Sequence, residues 1–289
     1  MRKSIYWAIG SCLLVLFFSF VVQVQQPSTA SNYINDMVVS HQADNPIASP
    51  IIAKSPKIPV QSESVSYGKL NDKSLTGYIS RPYESTKPLP ALIVIHEWWG
   101  LNDNIKKMTD RLAGEGYVAL AVDLYNGNVA DNREQARELV TKAIFNSAQL
   151  KDNLKQAFEY LKTEEKAPKI ASIGWCFGGL WSLNTALLLP EQLDATVIYY
   201  GGNLETDKEK LKPLQMPILG IFAALDKNPS IELVKQFETN LKALNKSVEI
   251  YIYDDVDHAF ANPSGKNYNE EAAESAWQKT TAFLANYLN

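Results

Sequence analysis

"KIASIGWCFGGLWS", residues 169–182, decides the fold. Its first half is a short apolar run, the pattern of a strand buried on both faces. From Phe177 the pattern becomes an apolar helix, which Pro190 stops. Cys176 stands at the junction, with Gly174 and Gly178 two residues to either side. A G-x-C-x-G sequence at a strand-to-helix turn is the nucleophile elbow with cysteine in place of serine. The turn is sharp, side chains at the flanking positions would clash, and the helix N-terminus favours a thiolate. Free cysteine is also among the most buried residue types, so an inert small hydrophobe competes with the nucleophile at this position.

The flanking sequence repeats the strand–helix alternation. "VSYGKL" and "LTGYISRP" read as two opening strands, and "ALIVIH" (91–96) as a fully buried one. "NIKKMTDRLAGEG" reads as a helix, "YVALAVDLY" as a strand, and residues 131–164 as one or two helices. "ATVIYYG", "PILGIFAALD" and "VEIYIYDD" supply three more strands, with "IELVKQFETNLKAL" between the last two and a closing helix over 268–287. Alternation of this kind predicts an α/β domain, a mostly parallel central sheet with helices on both faces. Ligands bind such sheets at the carboxyl ends of their strands, which is where Cys176 falls.

A nucleophilic thiol needs a base. The chain has three histidines: His41, His96 and His258. Residues 31–60, rich in serine, proline and asparagine, read as a flexible linker, so His41 falls outside the predicted domain. His96 ends a strand, and Glu97 follows it. In this topology the chain order is nucleophile, acid, histidine. His258 is the histidine downstream of Cys176, and Asp226 ends the strand between them. Asp254, Asp255 and Asp257 are rivals for the acid, although aspartates clustered in this way also make an ordinary turn.

The motifs "VIHEWWGLN", "GYVALAVDLY", "IGWCFGG", "VIYYGG", "AALD" and "DHAFAN" occur in that order over about residues 65–288. In them the chain resembles the dienelactone hydrolase family, of the α/β-hydrolase superfamily. The resemblance implies an α/β-hydrolase fold and a carboxylic ester hydrolase of carboxymethylenebutenolidase type. It implies Cys176 as nucleophile, His258 as base and Asp226 as the acid that orients it. It further implies that Glu97 contacts the resting thiol and that the backbone N–H groups of Trp98 and Phe177 form the oxyanion hole. Trp99 either lines the pocket or packs the core. The dienelactone-cleaving members carry two arginines for the substrate carboxylate. Here Arg133 is the candidate for one, with Arg137 as its substitute unless both are ordinary solvated helix residues, and Asn262 stands where the other would be, which leaves at most half of a bidentate clamp. The resemblance thus carries the hydrolase chemistry further than it carries the dienelactone substrate. Two other functions compete with it: a non-catalytic binding protein on a hydrolase fold, and a thiol redox sensor.

The N-terminus has a different character. Arg2 and Lys3 precede an apolar stretch over 5–22, and Ser28 and Ala30 occupy the −3 and −1 positions of a cleavage site. Residues 1–30 therefore read as a signal peptide, or as an uncleaved anchor, and predict export to a periplasmic or extracellular location. Of the two cysteines, Cys12 lies in this segment, so the mature protein would carry Cys176 alone. The remaining domain spans 61–289. The chain has 289 residues, 46% hydrophobic and 21% charged, with a formal net charge of −4 and no basic stripe. These values fit a globular protein without nucleic-acid partners. The resemblance implies a small ester or lactone as substrate; a monomer is expected, with membrane association only if the N-terminal segment is retained. So few histidines and cysteines predict no metal and no organic cofactor.

Overall fold

A computed structural model describes residues 29–41, 54–85 and 87–289. The predicted signal segment up to residue 28 lies outside them. Among the described residues, no helix is long and apolar enough to cross a membrane.

The core is an eight-stranded sheet of order β1-β2-β4-β3-β5-β6-β7-β8. The strands are β1 (Val60–Leu70), β2 (Lys73–Pro82), β3 (Ala91–Ile95), β4 (Val118–Val122), β5 (Ile170–Trp175), β6 (Ala195–Tyr199), β7 (Ile218–Ala223) and β8 (Val248–Tyr253). β1 and β2 form an antiparallel hairpin, β2 pairs antiparallel with β4, and the remaining pairings are parallel. β3 to β7 are buried at every position, as their unbroken apolar sequences require. β8, at the edge, carries Glu249 and no fully buried side chain.

The helices that position the site are α2 (Asp103–Ala113), α3 (Arg133–Phe145), α4 (Ser147–Thr163) and α5 (Phe177–Leu188); α7 (Ile231–Ala243) and α8 (Glu270–Leu288) cover the other end of the sheet. A four-residue helix, α6 (Lys208–Leu211), lies between β6 and β7. Residues 131–164 resolve into two helices because Asn146 leaves the helical conformation, with φ −109° and ψ 35°. α2, α3 and α7 each start on a side-chain cap, from Asn102, Asn132 and Ser230.

The N-terminal side departs from expectation. Part of the stretch expected as a flexible linker is a helix, α1 (Thr29–Ser40), and it is docked. Tyr33, Ile34, Met37 and His41 are all buried. Their spacing is one face of a helix, and α1 lays that face against α3 and the loops after β6 and β7. Asn228 Nδ2 donates to Asp36 Oδ2 at 3.3 Å, fixing the polar side. Burying three large apolar side chains contributes about 1.5–3 kcal/mol each before ordering costs, enough to hold a twelve-residue helix that would be marginal alone. Residues 42–53 of the expected linker lie outside the described residues.

β5 and α5 meet so closely at the elbow that no side chain fits between them. A Cβ on Gly174 would strike the backbone of Gly178, and one on Gly178 would strike the carbonyls of Ile95 and His96. Gly178→Ala should therefore cost about 1–3 kcal/mol as overpacking. Urea unfolding would measure it, and an unchanged midpoint would contradict the close crossing.

Candidate active site

Cys176 has φ 56° and ψ −117°, a left-handed backbone conformation costly for a residue with a side chain. Its backbone N–H donates to Tyr199 O at 3.0 Å, and its carbonyl accepts from Leu180 N at 3.1 Å. The residue is thus pinned between the end of β5 and the first turn of α5, with Sγ above the carboxyl edge of the sheet.

The structure brings Asp226 and His258 to the same place. Asp226 follows β7 and His258 follows β8, and His258 Nδ1 donates to Asp226 Oδ2 at 2.7 Å. Both side chains are buried. The rivals are arranged differently: Asp257 Oδ1 accepts the backbone N–H of His258, and Asp254 and Asp255 lie on the turn after β8. With Nδ1 engaged, Nε2 of His258 is buried without a hydrogen-bond partner.

The sulfur has a second imidazole beside it. His41 Nε2 lies 3.1 Å from Sγ. Its ring stacks on Trp98, centroids 4.6 Å apart, and meets His258 edge-on at 4.9 Å. Sequence reasoning placed this residue outside the site. The available signal was the spacing of Tyr33, Ile34, Met37 and His41, which is helical and points one histidine along an apolar face.

Glu97 is buried, and its Oε2 accepts from Asn262 Nδ2 at 2.6 Å. Asn262 Oδ1 in turn accepts from Asn104 Nδ2 and from Ser264 N. The position matched to an arginine therefore holds a neutral amide that anchors the Glu97 carboxylate. His96 is buried and its basicity is lowered by that burial. Its Nδ1 donates to the Glu97 carbonyl at 2.5 Å while Nε2 accepts from Leu124 N at 3.2 Å. The neutral ring thereby clamps the 97–98 peptide, whose other face carries the Trp98 N–H. Phe177 opens α5 directly after Cys176. Trp99 is buried against Trp98 at 4.8 Å between centroids.

Arg133 is not part of this cluster. It is exposed at the first position of α3, a turn ahead of that helix's buried stripe of Ala136, Val140 and Ala143. The buried stripe begins at Ala136, and Arg133 lies exposed ahead of it.

Burial alone would push the Cys176 thiol up, but the positive potential of His41 and His258 outweighs it and pulls the thiol down to about 6. Burial works against a charge on His258 as well, yet Asp226 and Cys176 together hold its imidazole well above the ordinary range. The two shifts act in the same sense, toward a thiolate beside an imidazolium.

The sequence profile of the dienelactone hydrolase family matches residues 75–288. A protein of Saccharolobus solfataricus named "Putative carboxymethylenebutenolidase" is 34% identical over 235 residues, 68% of this chain and 89% of that one. "Protein usf" of Aquifex pyrophilus is 35% identical over 229 residues, 75% of this chain and 96% of that one. The crystal structure titled "Putative Dienelactone Hydrolase" from Klebsiella pneumoniae superposes with a TM-score of 0.71 at 28% identity, covering 79% of this chain and all of that one.

The paired shifts fix a pH dependence. Alkylation of Cys176 by iodoacetamide should rise with pH through a midpoint near 6, since the thiolate is the reactive form. In His41→Ala one of the two groups that lower the thiol is gone, so the midpoint should move upward. Equal midpoints in the two proteins would show that His258 alone sets the thiol.

Proposed function

Because this chain belongs to the dienelactone hydrolase family, we propose that it cleaves small esters or lactones with Cys176 as the nucleophile. The coarser activity follows from the family: the protein is a hydrolase acting on ester bonds. The observation that carries the finer mechanism is the 2.7 Å contact between Asp226 and His258, which leaves Nε2 buried beside the sulfur.

The chemistry proceeds in two halves. Sγ attacks the carbonyl carbon, the carbonyl π pair moves onto oxygen, and the thiol proton resides on His258 Nε2. Asp226 holds Nδ1–H and stabilises the imidazolium. The N–H groups of Trp98 and Phe177 take the oxyanion; losing one such donor typically costs ~3 kcal/mol. The oxyanion then collapses, the C–O bond to the leaving group breaks, and His258 returns its proton to the departing alkoxide. The product of this half is an acyl-thioester on Cys176. Water, deprotonated by His258, repeats the sequence and releases the carboxylic acid with the thiol restored.

Two further parts of the reading rest on sequence. Asn262 in place of an arginine favours neutral esters and lactones over substrates that carry a carboxylate. The basic start, apolar 5–22 stretch and small residues at 28 and 30 support export.

Activity on aryl esters and short lactones tests the proposal. Cys176→Ala should abolish turnover with circular dichroism unchanged. Asp226→Asn should lower kcat by a factor on the order of 10⁴, through the wrong imidazole tautomer, whereas Asp257→Asn should matter little. Full turnover in Cys176→Ala, or a larger loss in Asp257→Asn than in Asp226→Asn, would overturn the assignment. A wild-type preference for dienelactone over neutral lactones would refute the substrate range.

A further inference from the structure

The family mechanism uses one histidine at the sulfur, and this chain places two. One ring nitrogen each of His41 and His258, together with Cys176 Sγ, lie within 4.8 Å of one another, and all three residues are buried. We propose that His41, Cys176 and His258 form a binding site for a borderline-soft divalent cation of the Zn²⁺ class, which masks the nucleophile and fastens α1 over it.

The donor set is right for such an ion. Thiolate and imidazole are the characteristic ligands of zinc, and three protein ligands plus water is the usual open zinc site. Bond lengths of about 2.0–2.3 Å place tetrahedral donors about 3.5 Å apart. His41 Nε2 already lies 3.1 Å from Sγ. The remaining adjustment is side-chain rotation, not refolding.

The surroundings are those of a held ligand. His258 Nδ1 donates to Asp226 Oδ2 at 2.7 Å, the carboxylate–histidine–metal relation that fixes a ligand's tautomer and raises its basicity. Its Nε2 is buried with no hydrogen-bond partner and is the atom left to bind. The His41 ring is set in plane by its stack on Trp98 and carried on a helix anchored through Tyr33, Ile34 and Met37. Charge balances as well: the thiolate and the Asp226 carboxylate cancel the two positive charges of the ion, so a buried site gains no net charge.

Binding is a simple exchange. The sulfur and one nitrogen of each imidazole give a lone pair to the metal, the proton held between the thiol and His258 Nε2 leaves to buffer, and waters on the ion are displaced; nothing is oxidised or reduced. With its electron pair engaged, Sγ cannot attack a carbonyl. The two histidines and the cysteine come from segments 135 and 217 residues apart in pairs with His41, so the ion would tie α1 to both β5 and the loop after β8. The sequence expectation of no metal rests on the small number of histidines and cysteines along the chain; the fold gathers two of the three histidines around the one described free cysteine.

Co²⁺ titration of the reduced, chelator-treated full chain tests the site. A thiolate-to-cobalt charge-transfer band in the near ultraviolet should saturate at one equivalent, be absent in Cys176→Ser, and be displaced by Zn²⁺ but not by Mg²⁺. Competition against a chromophoric chelator should show roughly 10-fold or greater loss of Zn²⁺ affinity in His41→Ala. Circular dichroism checks that both variants fold, and His41→Gln supplies a second variant of the same position. Absence of the charge-transfer band, or equal Zn²⁺ affinity in wild type and both His41 variants, would overturn the proposal. The inference shares Cys176 with the proposed hydrolysis, but the cobalt spectrum reports it whether or not any ester turns over.

Discussion

The close crossing of β5 and α5 governs the rest of the molecule. Gly174 and Gly178 let two backbones touch where any side chain would hold them apart. That contact forces Cys176 into its left-handed conformation, and the conformation lifts Sγ clear of the sheet edge. Because Gly178 also lies against the carbonyls of Ile95 and His96, the same contact sets the distance between Cys176 and the segment after β3. His96, Glu97 and Trp98 then take their places relative to the sulfur. Strain at one residue is repaid by the parallel pairing of β3, β5, β6 and β7 around it, all buried.

Polar groups in the site are organised by a few buried bonds. Asp226 orients His258, Asn262 anchors Glu97, and His96 clamps the peptide that bears the Trp98 N–H. Each partner sits at a strand end or on the loop beyond it, so the sheet registers them together. Two histidines near one sulfur make more acidic a buried thiol that burial alone would make less so.

Most of this architecture is legible in the sequence because it is local or periodic. Unbroken apolar runs mark β3 to β7, glycines at a spacing of four mark the elbow, and chain order selects Asp226 and His258. Three things are not legible. The break at Asn146 is a single residue whose side chain bonds back to Lys142 O, and nothing in the helical pattern on either side announces it. Arg133 matches a family position yet faces solvent, since one turn decides whether a helix end meets the core. His41 is the largest omission. Four apolar-face residues in a serine- and asparagine-rich stretch make too short a stripe to predict a helix, and its stability comes from surfaces far along the chain. Burial of Met37, like the contact of His41 with Cys176, depends on long-range docking rather than on propensity.

The docked α1 also changes what a kinetic constant on this protein measures. His41 occupies the approach to Sγ, and Cys176, His258 and Glu97 are each almost wholly shielded. A substrate must therefore displace a competitor that belongs to the same chain and cannot be diluted away. Its apparent affinity is the intrinsic affinity multiplied by the fraction of molecules whose α1 is undocked. Substitutions at Ile34 or Met37, on the buried face of α1, would thus register as changes in KM. Dilution, which separates a bound partner from its enzyme, would leave that competition untouched.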